Sequence, residues 1–146
     1  MKIEIKIDEN CPETKIIIVT DKMTDEIGDI MQTLSDEMQQ GFVGYFDNFA
    51  KPLAQSEIIR IYASNGKVYA ESDEKEYLLR LRLYEAEGKL NKKVFVRISN
   101  SEIVNLKKIK RFDLNFAGTI CVLLSNGKST YVSRRYVSKI KQTLGL

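Results

Sequence analysis

The clearest alternation of apolar and polar positions stands at the start of the chain. Residues 2–7, KIEIKI, set Ile3, Ile5 and Ile7 between charged neighbours, the period-two pattern of a half-buried strand. After a polar break at residues 8–12, the β-branched run KIIIVT at residues 15–20 predicts a second strand. The period then changes. Ile27, Ile30, Met31, Leu34 and Met38 fall at helical spacing and form one apolar stripe. Thr24 is placed to cap this helix, Asp25 and Glu26 complement its dipole, and Gly41 ends it after about residue 40. The pattern predicts a β-β-α unit over residues 1–46, with the stripe packed on its two strands and an acidic outer face.

Residues 47–146 read differently, as many short strands at close spacing with a few small helices. Residues 42–46 and 51–53 flank a turn at Asp47-Asn48. Residues 57–62 and 68–71 flank the tight turn Ser64-Asn65-Gly66-Lys67, and residues 77–79 make a further strand. Leu81, Leu83, Tyr84 and Leu90 suit a short helix with Glu85 and Glu87 exposed and Gly88 at its end. Val94, Val96 and Ile98 alternate as a strand until Ser99-Asn100-Ser101-Glu102 breaks the pattern. Ile103, Val104 and Leu106 then predict a short helical turn that anchors this polar corner. Residues 109–114 and 118–124 are strands, and Asn126-Gly127 joins the latter to residues 129–132, the strongest short-range hairpin signal in the chain. Ser133 is a natural N-cap for a last helix over residues 134–144, with Val137, Ile140 and Leu144 inward. The expected fold class is mainly β and antiparallel with short helices, plus the small N-terminal unit.

Charge sharpens the division. The 146-residue chain is +3 overall, but residues 1–50 hold four Lys against eleven acids, a net −7. Residues 51–146 hold nineteen Lys and Arg against nine acids, a net +10. Such an asymmetry suggests that one part faces a polyanion and the other does not. His is absent and the two cysteines, Cys11 and Cys121, form no CxxC pair, so neither a zinc site nor a His-based nucleophile can be assembled from the usual parts. No Gly-rich phosphate loop occurs and no carboxylates stand in catalytic spacing, so no catalytic, metal or cofactor residues are expected. No apolar run approaches a membrane span, and the expected location is the cytoplasm.

The run F-x-R-x-x-x-S-x-x-V-N-x-x-x-I from Phe95 to Ile109 carries a resemblance, together with Asn126-Gly127 and the V-S-R-R at Val132–Arg135. From roughly Ser56 to Leu144 the chain resembles the LytTR family of bacterial DNA-binding domains. The resemblance implies that loops of a β scaffold read double-stranded DNA, two entering successive major grooves and one touching the minor groove between them. By motif position it implies Asn100 as the minor-groove residue and Arg135 as a major-groove residue, with Lys67 near the first loop. Ser99 stands where family members often have His. Many relatives also carry a phosphorylatable receiver, for which the leading unit is too short, so a stand-alone regulator is expected.

Phosphate neutralisation supplies most DNA affinity. The candidates are Lys107, Lys108, Lys110, Arg111, Lys128, Arg134 and Lys139, with Lys141 and Lys67 beside them; the alternative for the Lys-rich run is a strand edge guarded against aggregation. Asn105 reads as an internal hydrogen-bonding residue. The expected function is a sequence-specific transcription regulator that binds repeated sites as a homodimer. The alternative is an interaction module in which the acidic helix or a strand edge engages a protein, such as a membrane regulatory partner, without itself entering the membrane.

Overall fold

The computed structural model describes residues 1–37, 41–115 and 118–146. A seven-stranded antiparallel sheet forms from β1 (Phe42–Phe46), β2 (Phe49–Leu53), β3 (Arg60–Ser64), β4 (Lys67–Glu71), β5 (Glu76–Leu79), β6 (Phe95–Ser99) and β7 (Glu102–Asn105), in the order β2-β1-β5-β4-β3-β7-β6. A smaller sheet, ordered β10-β9-β8, holds β8 (Ile109–Leu114), β9 (Ile120–Leu124) and β10 (Ser129–Val132). The helices are α1 (Asp25–Glu37), α2 (Leu83–Lys89) and α3 (Arg134–Leu144). This is the mainly β, antiparallel architecture with short helices that the strand spacing predicts.

Strand alternation sorts side chains to two cores. Ile61, Val68, Ala70, Phe95 and Ile103 point to one face of the large sheet, where Leu83 and Ala86 of α2 and Leu90 just after it cover them. Val96, Ile98 and Val104 point to the other face and meet Ile120, Val122, Leu124 and Val132 of the small sheet and Ile140 of α3. Neither sheet could bury its apolar face alone.

A polar network ties the two sheets together across this second core. Arg60 is flanked by two buried acids, its Nε 2.7 Å from Glu71 and its Nη1 2.6 Å from Glu102. Thr130 of β10 donates to Glu102, and Asn126 and Lys128 of the β9–β10 hairpin reach Glu71. Burial pushes the Glu71 carboxyl up, but hydrogen bonds from Arg60 and Lys128 outweigh it and hold the group below the usual carboxylate range.

The N-terminal expectations divide. Helix α1 forms from Asp25, and Thr24 Oγ1 accepts from the Ile27 amide at 3.3 Å as a cap. Met38 and the expected helix end near residue 40 lie outside the described residues. Residues 2–7 and 15–20, however, form no strand, and Ile3, Ile5 and Ile7 are about nine-tenths exposed. Alternation specifies a face, not a neighbour, and among the described residues no strand pairs with these segments to complete a ladder. Helix α1 instead packs on β1 and β2, and the boundary expected after residue 46 falls inside the β1–β2 hairpin. A second correction concerns Ile103 and Val104. They lie in β7, paired on both sides by β3 and β6, and only residues 106–108 make a 3-10 turn.

Candidate nucleic-acid interface

Three turns meet at one end of the two sheets. The first is the β3–β4 hairpin, where Asn65 and Gly66 both adopt positive φ (52° and 76°), a two-residue turn that Asn-Gly favours. Lys67 leaves this turn exposed. The second is the β6–β7 corner. Ala63 donates its amide to the Ser101 carbonyl at 2.8 Å, which holds the first two turns side by side. The third is the β10–α3 junction, fixed by the Ser133 amide on the Ile98 carbonyl at 2.9 Å. Ser133 occupies the expected N-cap position, but its side chain makes no cap bond.

The corner is built from within by Arg97. It lies on the α2 side of β6, between Val96 and Ile98, which alternate to the other face. Its Nε donates to the Ser99 carbonyl at 2.7 Å and its Nη2 to the Asn100 carbonyl at 2.6 Å, while Glu87 of α2 stands 3.4 Å from Nη1. Ser99 Oγ accepts from the Ser101 amide at 3.2 Å, and the ladder shifts register between Arg97 and Ser99. Both carbonyls turn toward the guanidinium, and the exposed Asn100 side chain projects from the bulged corner. There its Oδ1 lies 3.5 Å from Arg135 Nη1 and 3.3 Å from the Tyr136 hydroxyl. Residues 35 positions apart thus share one site.

Arg134 and Arg135 stand exposed in the first turn of α3, and Lys139 is exposed one turn further along. Cations at a helix N-terminus oppose the macrodipole, at a cost of a few tenths of a kcal/mol each. An anion placed there would be favoured by both the guanidinium groups and the free amides of the first turn. The local electrostatics therefore suit a phosphate or the acceptor edge of a base.

The other basic candidates lie elsewhere. β7 carries the chain away from the corner, so Lys107 and Lys108 sit at the opposite end of the sheet, roughly 15 Å off at 3.3 Å per residue. Lys108 approaches Asp73 at 4.0 Å, and Lys128 lies 3.1 Å from Glu71 at that same end. Arg111 pairs with Asp113 at 2.9 Å on β8, which also carries the exposed Lys110. The structure thus gathers Lys67, Asn100, Arg134, Arg135 and Lys139 and leaves Lys107, Lys108, Lys110, Arg111 and Lys128 outside the cluster. Asn105 is internal as expected: fully buried, it donates to the Ile58 carbonyl at 2.8 Å and accepts from the Lys107 amide at 2.9 Å.

Sequence reasoning missed Arg97 and Tyr136 as parts of the corner. Arg97 had a signal: a cation alternating with core positions inside a strand must find a partner on the opposite face. Tyr136 had none beyond its place beside Arg135. Acidic α1 lies against β1 and β2, with β5, β4 and β3 between β1 and β7, roughly 20 Å from the corner at sheet spacing. No His/Cys/Asp/Glu group among the described residues is arranged to hold a metal ion, and no helix is long and apolar enough to cross a membrane.

Residues 50–145 match the model of the LytTr DNA-binding domain. The whole chain is 35% identical over 147 residues to an uncharacterized HTH-type transcriptional regulator of Staphylococcus aureus strain NCTC 8325 / PS 47, covering 99% of that protein. A relative described in the same words from the bovine strain RF122 / ET3-1 is equally similar, at 35% over 147 residues with 100% and 99% of the two chains covered. Among solved structures, the LytTr DNA-binding domain of a Bacillus cereus protein described as a methyl-accepting/DNA response regulator superposes with a TM-score of 0.68. That match is 27% identical and covers 71% of this chain and 95% of the other. The matched span contains all three turns of the cluster.

Proposed function

The chain belongs to the LytTr DNA-binding domain family, and we propose that it regulates transcription by reading duplex DNA with the turn cluster at residues 64–67, 99–101 and 133–135. The observation that carries this reading is the meeting of Asn100 and Arg135 beside the Lys67 hairpin. Arg135 can fork onto guanine O6 and N7, while Asn100 can accept from and donate to base edges. Arg134 and Lys139 flank them and would neutralise phosphates. The curated relatives are described as transcriptional regulators, which supports the same assignment.

In this reading the protein acts as a homodimer on repeated sites, each copy offering one turn cluster. The lysines at the far end of the sheet, Lys107, Lys108 and Lys128, with Lys110 and Arg111 of β8, remain candidate phosphate contacts only where DNA bends around the domain. Selection from random duplexes at two salt concentrations tests the assignment. A repeated motif should emerge, and its enrichment should vanish for Arg135→Ala. Binding that shows no sequence preference in either protein would refute base reading.

A further inference from the structure

The leading segment carries a run of exposed apolar side chains. Ile3, Ile5, Ile7 and Val19 are each at least 87% exposed, and Ile16 and Ile17 about two-thirds exposed. Several large apolar side chains left exposed in one segment mark a contact site. Beside it runs an apolar trough of about 720 Å³ between residues 13–20, α1 and β2, lined by Ile16, Ile18, Ile27, Met31 and Leu34.

We propose that residues 2–8 of two copies pair as antiparallel strands about a two-fold axis through Ile5, and that this arm is the dimer contact of the regulator. The inference deepens the homodimer in the functional reading and rests on it. The sequence KIEIKID complements itself in one register. With Ile5 opposite Ile5, Lys2 faces Asp8, Ile3 faces Ile7, and Glu4 faces Lys6, each pair occurring twice. All six isoleucines then share one face and all eight charges the other, every charge opposite its counter-charge. A contact between identical surfaces is what a two-fold dimer requires.

The alternative partners fit less well. The register one pair over, with Glu4 opposite Glu4, sets Lys2 against Lys6. Pairing within the chain offers KIIIVT, which carries a single charge, Lys15, against three in residues 2–7. In the single chain Lys2 turns back onto Glu4 of its own segment, at 2.9 Å with both side chains in solvent. Asp8 opens a turn, its carbonyl accepting from the Cys11 amide at 3.1 Å, so the strand ends where the complementarity ends. A two-stranded ribbon is marginal in water. The trough supplies the apolar surface its isoleucine face needs.

The test uses the full chain in sedimentation equilibrium without DNA. Wild type should be a dimer at micromolar concentration. Glu4→Lys or Lys6→Glu alone sets like charges opposite each other at two places and should weaken the dimer about tenfold. The double variant Glu4→Lys/Lys6→Glu restores both pairs and should return the constant to within about threefold of wild type. With Cys11→Ser and Cys121→Ser as background, Ile5→Cys should oxidise rapidly to a linked dimer, because opposed Cα atoms stand about 5 Å apart. Ile3→Cys, displaced from its own copy by four residues or about 13 Å, should lag well behind. A monomeric wild type, a dimer insensitive to the single reversals, or equal oxidation at both positions would overturn the arm contact. Binding to a duplex with one half-site separates the two readings. If Glu4→Lys binds it as wild type does, loss of the dimer is a fault of the arm alone; if wild type itself shows no preference, the DNA reading fails whatever the arm does.

Discussion

Removing Arg135 should weaken DNA binding and leave the fold intact or slightly firmer. In the free protein the guanidinium makes one long contact, 3.5 Å to Asn100 Oδ1, at the limit for a hydrogen bond and exposed on both sides. Such a contact contributes little to folding. The cation also opposes the α3 dipole, so Arg135→Ala should change stability by less than about 0.5 kcal/mol, with the sign toward stabilisation. On the cognate duplex the same change removes a bidentate base contact worth about 1–3 kcal/mol, a loss of roughly fivefold to 150-fold in affinity. Arg135→Lys keeps the charge but not the fork and should lose most of that discrimination. Fluorescence anisotropy on selected and scrambled duplexes, at several salt concentrations, measures both parts; a thermal melt measures the third. A base contact leaves the log–log salt slope unchanged, whereas a phosphate contact would make it shallower by about 0.9. Equal losses on both duplexes with a shallower slope would refute base reading by Arg135. A lowered melting temperature with unchanged affinity would refute its functional role altogether.

Other consequences can be checked separately. Arg97→Ala releases the carbonyls of Ser99 and Asn100 from their clamp, so cognate affinity should fall by about 1–2 kcal/mol and the Asn100 side-chain amide resonances should shift even without DNA. If affinity survives, the corner does not depend on the clamp. Asn105→Ala leaves the Ile58 carbonyl and Lys107 amide unpaired in a buried site, and urea titration should record a loss of about 2–3 kcal/mol. Because the Glu71 carboxyl is held below its ordinary value of 4.5, its contribution to stability is complete above that value and is lost as pH falls through the lowered one. Glu71→Gln should therefore reduce stability at pH 7, by about 3–5 kcal/mol for a broken buried pair, and flatten the acid limb of the stability curve. An unchanged acid limb would remove Glu71 from the account.

Much of the fold is legible in local pattern, and the exceptions have physical causes. Asn126-Gly127 marked the β9–β10 hairpin, which closes through a three-residue loop with Gly127 at φ 86°. The alternation of residues 94–98 marked β6, and the spacing of Val137, Ile140 and Leu144 marked α3. At four residues β7 is too short for its period to separate strand from helical turn; its two neighbouring strands decide the matter. Residues 2–7 carry a genuine strand pattern, and among the described residues of one copy no strand pairs with it. The site was legible in kind but not in grouping. Asn100 and Arg135 could be picked out singly, yet their meeting depends on the bond between the Ser133 amide and the Ile98 carbonyl, which no local pattern announces. The dense run from Lys107 to Arg111 says nothing of which end of the sheet it occupies, nor that Asp73 and Asp113 come to stand near it.

The curated relatives are described as HTH-type, but the described residues of this chain show no helix-turn-helix. A helix-turn-helix needs two consecutive helices joined by a short turn, the second exposed along one face. Among the described residues α2 and α3 are separated by the five strands β6 to β10, and they cover opposite faces of the large sheet. One face of α3 packs on the core: Ile140 is fully buried, with Val137 and Leu144 against the same core. Its first turn is positioned by strand β6 through the Ile98 carbonyl, and the neighbouring corner is drawn inward by Arg97 toward Glu87 of α2. Each turn of the cluster is fixed by a strand end or by a side chain anchored beneath it. Lys67, Asn100, Arg134 and Arg135 thus occupy turns and a helix start, with Lys139 on the exposed side of α3.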